Sequence, residues 1–285
     1  MSLLRIEGLT ISFPDRDGRP VPVVRDLSLV MGREKVGIVG ESGSGKSLTA
    51  RAIMGVLPHR ASVRAERLEF DGRDLRALGP RDWRRLRGDR IGMILQDPRH
   101  ALNPVLSVGD QIVESIRLGA ANAGIRVSRR TANERAREVL EAVEIRDPDR
   151  VMGLYPHEVS GGMGQRVMIA ISFVRRPDLL IADEITSALD VTVRARVLDV
   201  LDGIIGDRAM GLIFISHDLQ LVARFCDRVL VMYAGRVVEE IAARDLSQAR
   251  HPYTQGLLRC IPRIDGPQAP LPVLEREAAW AGGTP

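Results

Sequence analysis

Apolar and polar positions alternate from Leu3 to Phe13 and again from Val21 to Val30, on either side of the turn-rich stretch Pro14-Asp15-Arg16-Asp17-Gly18. That pattern predicts an antiparallel hairpin. A short apolar run, Val36 to Val39, predicts a strand that enters a Gly/Ser-rich stretch at Gly40, and a helical pattern follows from Lys46 to about Val56. Ile91 to Leu95 predicts another strand, ending at Gln96. The character then changes through about Val174, where Val139, Leu140 and Val143 fall at helical spacing, Pro156 opens a new segment and a helix is expected over Val167 to Val174. Strands return at Leu179 to Ala182, Leu212 to Ile215 and Val229 to Met232, with a helical run from Val193 to Ile205. Strands that alternate with helices imply an α/β fold with a mostly parallel sheet covered on both faces. From about His251 the pattern weakens, and residues 262–285, with five prolines, are expected to lie on the surface as an extension.

Composition narrows the picture. The chain has 285 residues, 45% of them hydrophobic and 4% aromatic, which excludes disorder and suits one large domain or a domain with an appendage. Its longest candidate stretch, Val167 to Val174, contains Ser172 and falls far short of the roughly eighteen apolar residues a membrane span needs. Arg5 and Glu7 stand near the start with no apolar stretch behind a basic one, so no secretory signal is expected. The expected location is the cytosol, unless a partner holds the chain at a membrane. The net charge of +4 suggests nucleic acid until its distribution is considered. Only Lys35 and Lys46 are lysines, the arginines are scattered, and the densest cluster (Arg81, Arg84, Arg85, Arg87, Arg90) is interleaved with Asp82 and Asp89 at helical spacing, as on a solvated helix face. Cys226 and Cys260 have neither metal-ligand spacing nor a disulfide framework, consistent with a reducing compartment.

The chemistry lies in five segments. Gly40-Glu41-Ser42-Gly43-Ser44-Gly45-Lys46-Ser47 fits G-x-x-x-x-G-K-[ST] at every fixed position, between a strand and a helix. Its glycines allow backbone N–H groups to turn onto phosphates, the helix adds its positive end, Lys46 a point charge and Ser47 a hydroxyl for Mg²⁺. Leu179-Leu180-Ile181-Ala182-Asp183-Glu184 is an apolar strand delivering two carboxylates at its C-terminal edge. Asp183 suits a Mg²⁺ partner and Glu184 a base for attacking water, although a strand ending in Asp-Glu is also common as a cap or surface turn. His217, after the strand Leu212 to Ser216, is either a surface residue or a donor to a transferring phosphate. Gln96 is either an exposed strand end or an amide facing the metal or the water. Ser160-Gly161-Gly162-Met163-Gly164-Gln165-Arg166 opens a helix, so it is either an N-cap with a flexible turn or a second anion site. Two anion sites with one lysine loop suggest that the second serves a nucleotide held mainly by another subunit.

Taken in order along the chain, these segments resemble an ABC transporter nucleotide-binding subunit. In that family Gly40 to Ser47 is Walker A, Gln96 the Q-loop residue, Ser160-Gly161-Gly162-Met163 the signature, Asp183-Glu184 the end of Walker B, Ser187-Ala188-Leu189-Asp190 the D-loop and His217 the switch histidine. Phe13 stands where an aromatic stacks on adenine. Gln96-Asp97-Pro98, Asn103-Pro104, Tyr155-Pro156-His157-Glu158 and His251-Pro252-Tyr253-Thr254 are similar to importers of oligopeptides, dipeptides and nickel. The chain departs from that pattern at Ile185, usually Pro, and Gly164, usually Arg, and its tail lacks the cysteines of an iron–sulfur extension.

The resemblance implies a P-loop NTPase (RecA-like) core with an N-terminal antiparallel β subdomain and an inserted α-helical subdomain at about 97–175. The ATPase domain would occupy 1–250 and a C-terminal extension 251–285. It implies ATP and Mg²⁺ as cofactors, with ATP contacted by Phe13 and by Gly40, Glu41, Ser42, Gly43, Ser44, Gly45, Lys46, Ser47 and Leu48. Ser160, Gly161, Gly162, Met163 and Asp190 would act in trans, Ser47, Gln96 and Asp183 at the metal, and Glu184, His217, Lys46 and Gln96 in catalysis. The implied partners are two transmembrane permease subunits, a second ATP-binding subunit (a different chain more readily than a copy) and an extracytoplasmic solute-binding protein, at the cytoplasmic face of the cell membrane, without nucleic acid. Peptide is the expected solute, with nickel, a metal chelate or glutathione as alternatives. A soluble ABC ATPase acting on DNA or ribosomes is a rival, but the stretch between the lysine loop and the second anion site holds no heptads for a long coiled coil, and there is one cassette. A P-loop kinase would leave Ser160 to Gly162 and His217 unexplained.

Overall fold

The structure, a computed structural model, describes residues 2–187, 189–206, 210–260 and 280. The expected hairpin is present as β1 (Leu4–Pro14) and β2 (Pro20–Met31), antiparallel with Leu4 opposite Met31 and Pro14 opposite Pro20. β3 (Lys35–Val39) leads through the glycine-rich loop into α1 (Lys46–Ile53). The helix stops short of Val56 because Gly55 takes a left-handed φ of 61°. Three short strands follow, β4 (Ser62–Arg64), β5 (Arg67–Phe70) and β6 (Arg73–Asp74). Next come α2 (Pro80–Asp89), β7 (Ile91–Ile94), α3 (Pro98–Ala101), α4 (Val108–Asn122), α5 (Arg129–Ala142), α6 (Pro148–Gly153) and α7 (Gly161–Phe173). The chain continues with β8 (Leu179–Asp183), α8 (Val191–Gly206), β9 (Gly211–Ser216), α9 (Leu219–Phe225), β10 (Arg228–Tyr233), β11 (Arg236–Ala242) and α10 (Pro252–Arg259).

These elements fall into two compact units, one built from the stretches before Leu78 and from Ile213 onward, the other from Leu78–Leu212. In the first, an antiparallel sheet runs β2–β1–β5–β6 with β4 beside β1. Its apolar face is supplied by alternate residues such as Ile11, Leu27, Leu29 and Met31, each nearly or fully buried, as period two demands. A second sheet carries β3 parallel to β10, with β11 antiparallel on β10's other edge. α9 lies directly on β3: a Cβ on Gly37 would come within 2.0 Å of Val222 and 3.2 Å of the Cys226 sulfur. That burial pushes the Cys226 thiol up to about 12, so this cysteine is packing and not a nucleophile. Cys226 and Cys260 are both free thiols.

The second unit holds the parallel pair β7 and β8, with Ile91 opposite Leu179 and Ile94 opposite Ala182. Its helices α4, α5 and α7 begin on serine caps. Ser107, Ser128 and Ser160 accept the backbone N–H groups of Asp110, Thr131 and Met163, each stabilising its helix by about 1 kcal/mol. α4 buries Val108, Ile112 and Ile116, while α5 buries Ala132, Ala136 and Leu140. α2 leaves Arg81, Arg84 and Arg85 exposed, while Arg90 just beyond it pairs with Asp178.

Several boundaries differ from the sequence expectation. α7 starts at Gly161, not Val167, because Ser160 caps it and the glycines form its first turn. His251, where periodicity fades, caps the well-formed α10 by accepting the Tyr253 N–H. Gln96 lies two residues beyond the end of β7. The expected surface extension at 262–285 lies outside the described residues except for Trp280, and Ala188 of the D-loop segment also lies outside them.

Candidate functional site

In the first unit the loop leaves β3 at Gly40, and its three glycines all have positive φ: Gly40 153°, Gly43 83° and Gly45 102°. Gly40 and Gly45 are also confined in space. A Cβ at Gly40 would sit 2.1 Å from the Met232 carbonyl oxygen at the end of β10, and one at Gly45 would sit 2.8 Å from Val24. A Cβ at Gly43 would meet nothing within 4 Å, so its requirement is conformational alone. The Lys46 side chain is 4% exposed, and its Nζ donates to the carbonyl oxygens of Gly40 (2.9 Å) and Glu41 (2.8 Å). Ser44 is equally buried, and its hydroxyl has no partner among the described residues. A buried orphan hydroxyl beside a buried ammonium, at a helix N-terminus without an acidic first turn, fits an anion. Ser47 and Leu48 are half-buried in the first turn of α1, Ser42 is exposed, and Phe13 is half-buried in β1 opposite Val21.

His217 stands exposed between β9 and α9. Its surroundings are tightly tied: the Asp218 N–H donates to Ser216 Oγ at 3.0 Å, and the Asp218 carboxylate caps α9 by accepting the Leu221 N–H. The imidazole is therefore presented from a fixed turn.

The second unit assembles the other group. β8 is buried along its whole length, so Asp183 (6% exposed) emerges at a strand end where it cannot be a surface turn. Glu184 follows at φ 49°, a left-handed conformation that costs a non-glycine residue on the order of 1 kcal/mol and clusters at functional sites. The Gln96 amide donates to Glu184 Oε2 (3.2 Å) and to Ser187 Oγ (3.3 Å), and the Ser187 hydroxyl donates to the Glu184 carbonyl oxygen (2.9 Å). This triangle joins residues far apart in sequence and holds the carboxylate's direction. Asp97 caps α3 through the Arg99 N–H, which holds its carboxyl below the usual range.

Ser160 and Gly161 are exposed at the start of α7. A Cβ at Gly162 would come within 2.6 Å of Val193, whereas at Gly161 it would meet nothing within 4 Å. Asp190 caps α8, accepting the Val193 N–H at 2.9 Å. Gly164 is buried, and a Cβ there would lie 2.9 Å from Pro98 of α3. Glycine at this position therefore sets a close approach of α7 to the segment that carries Gln96 and Asp97. A cleft of about 580 Å³ lies between them, lined by Gln96, Asp97, Gly161, Gln165, Ser187 and Leu189. A larger cleft, of about 700 Å³ and lined by Ile116, Arg135, Val139 and Phe173, contains no candidate residue.

Three participants escape motif reading. Ser187 was legible only as a D-loop letter, yet its hydroxyl braces both Gln96 and Glu184. Gln165 is 1% exposed with its amide nitrogen unpartnered among the described residues, a fact only packing reveals. The Tyr253 hydroxyl accepts the Glu41 N–H at 3.1 Å across 212 positions of sequence. For a cation, no group of three or more His, Cys, Asp or Glu residues occurs among the described residues. Ser47 in the first unit, and Asp183 and Gln96 in the second, each carry a hard oxygen of the kind that Mg²⁺ prefers.

The family model described as ABC transporter matches residues 25–187. The chain is 48% identical over 268 residues to an oligopeptide transport ATP-binding protein of Mycobacterium tuberculosis, covering 93% of this chain but 43% of that protein, so it spans less than half of that relative. It is 45% identical over 265 residues to the dipeptide transport ATP-binding protein of Escherichia coli K12, covering 93% of this chain and 80% of that one. Among solved structures, a bacterial ABC transporter cassette determined as a dimer superposes with a TM-score of 0.72 at 25% identity, over 85% of this chain and 99% of the other.

Proposed function

Because the chain belongs to the ABC transporter family, we propose that it is the ATP-hydrolysing subunit of an importer that carries peptides across the cell membrane. The observation that carries this reading is the phosphate loop, with left-handed glycines, a buried lysine and an orphan serine hydroxyl arranged at one helix start. The names of the mycobacterial and enterobacterial relatives support peptide as the solute class.

In this reading Lys46 and the backbone donors of Gly43 to Ser47 bind and neutralise the triphosphate. Glu184, aimed by Gln96, takes the proton from the attacking water, and His217 donates to the γ-phosphate as charge develops there. Phe13 supplies a face for the adenine. Mg²⁺, when bound, would neutralise phosphate oxygens, and Ser47, Asp183 and Gln96 carry the oxygens to hold it. Ser160 to Met163 and Asp190 serve the nucleotide of a second ATP-binding chain, because their N-cap is exposed and the nearby Arg166 guanidinium is already bonded to the carbonyls of Gly162 and Glu144. The residues between α3 and α7 meet permease subunits, which place the chain at the cytoplasmic face of the membrane. A solute-binding protein on the other side supplies the peptide.

Glu184→Gln tests the assignment. It keeps the side chain's shape and loses the basic oxygen, so ATP affinity stays within about twofold while hydrolysis falls a hundredfold or more, as expected for a general base. Hydrolysis above about a tenth of the wild-type rate would remove Glu184 from that role.

A further inference from the structure

The segment His251-Pro252-Tyr253-Thr254 has no part in the chemistry above, yet it is anchored on both sides. Glu239 of β11 accepts the backbone N–H groups of Arg250 (2.6 Å) and His251 (3.3 Å), and His251 Nδ1 accepts the Tyr253 N–H (3.2 Å) as α10 begins. Tyr253 is fully buried, with its ring 4.5 Å from that of Tyr233 and 6.0 Å from that of Trp280. So fixed, its hydroxyl accepts the Glu41 N–H.

That N–H belongs to the peptide group joining Gly40 to Glu41, whose carbonyl oxygen accepts Lys46 Nζ. A peptide group is planar and turns as one body. Tyr253 therefore grips one end and the lysine ammonium the other. A bond to the N–H also polarises the carbonyl and makes it a better acceptor for the ammonium. The Met232 carbonyl, close against Gly40, limits how the group can tilt.

We propose that Tyr253 is a positioning residue for Lys46, setting through the Gly40–Glu41 peptide the place from which the ammonium meets the nucleotide's phosphates. The proposal rests on the loop being the ATP site, and it adds a residue from the C-terminal segment that no phosphate-loop motif contains.

The test is a cycle of ATP affinities on the full chain: wild type, Tyr253→Phe, Lys46→Ala and the double variant. Phenylalanine retains the ring and its packing but removes the acceptor. Tyr253→Phe should weaken ATP binding about three- to tenfold, the range of one lost hydrogen bond, with little change in nucleotide-free melting. If the tyrosine acts through the lysine, the double variant binds within about twofold of Lys46→Ala alone, since residues sharing one network are not additive. Two effects that multiply would overturn the proposal, as would a Tyr253→Phe chain that binds ATP as tightly as wild type. If Lys46→Ala itself binds ATP normally, the reading of the loop falls and the proposal falls with it. A second measurement needs no tyrosine variant: by reciprocal coupling, Lys46→Ala should speed hydrogen exchange at the Glu41 amide about tenfold or more, and unchanged exchange overturns the proposal.

Discussion

The two proposed anion sites are both glycine-bearing helix starts, but they use glycine for different reasons. In Gly40 to Ser47 the glycines are needed for their backbone angles, since all three hold positive φ. In Ser160 to Met163 the backbone is that of an ordinary capped helix, and Gly162 is small only because Val193 stands 2.6 Å from where its Cβ would be. The first site also carries its own buried ammonium, while the second offers an exposed serine and backbone N–H groups, with the Arg166 guanidinium turned onto the carbonyls of Gly162 and Glu144. In the proposed reading, the first holds a triphosphate by itself and the second is pressed against a nucleotide that another chain holds.

The comparison breaks first, and by most, if the two sites turn out to serve the same nucleotide. Lys46→Ala should lower the isolated chain's ATP affinity tenfold or more, as loss of a charged hydrogen-bond donor implies. Ser160→Arg should leave that affinity within about twofold while cutting hydrolysis about tenfold or more in the assembled pair, because the added cation obstructs the partner's phosphate position. Loss of ATP binding by the isolated Ser160→Arg chain would end the reading in which Ser160 to Met163 serve a second chain's nucleotide.

A smaller effect separates angle from space. Gly162→Ala should cost about 1–3 kcal/mol of stability through overpacking, and Val193→Ala in the same chain should restore most of it. Gly43→Ala should cost about 1 kcal/mol from its left-handed backbone, and no neighbouring truncation should rescue it. Thermal melting of the four chains reads both results, and rescue of neither would merge the two kinds of glycine. Smallest of all, Gly164→Ala gains up to about 1 kcal/mol of helix propensity against a comparable clash with Pro98. A melting shift of only a few degrees is expected, and a large loss would mean that α3 cannot yield at all.

How much of this was legible in sequence follows from the range of each interaction. The hairpin was legible because period two is local, and the phosphate loop because its glycines and lysine are contiguous. β4 was not, since Ser62 to Arg64 are exposed throughout and show no alternation. α9, only seven residues and begun by an Asp cap, is too short for periodicity to establish. At the site, residue identities could be read from motifs, but the bonds between them could not. Gln96 meets Glu184 across 88 positions, and only the tertiary fold decides that pairing. The start of α7 was misplaced for a local reason: two glycines look like a turn, but a serine cap and favourable packing carry them into the helix.

The scarcity of lysine gives the buried Lys46 a practical use. A lysine-specific protease has only two places to cut this chain, after Lys35 and after Lys46. Together those cuts release Val36 to Lys46, the rest of β3 and the phosphate loop up to its lysine, as one short fragment. Lys35 lies 5.1 Å from the Phe225 ring, and Lys46 is gripped by two carbonyls, so the folded chain hides both cleavage points to different degrees. The appearance of that fragment in a digest is thus a built-in clock for the opening of the nucleotide loop, readable by mass without any label.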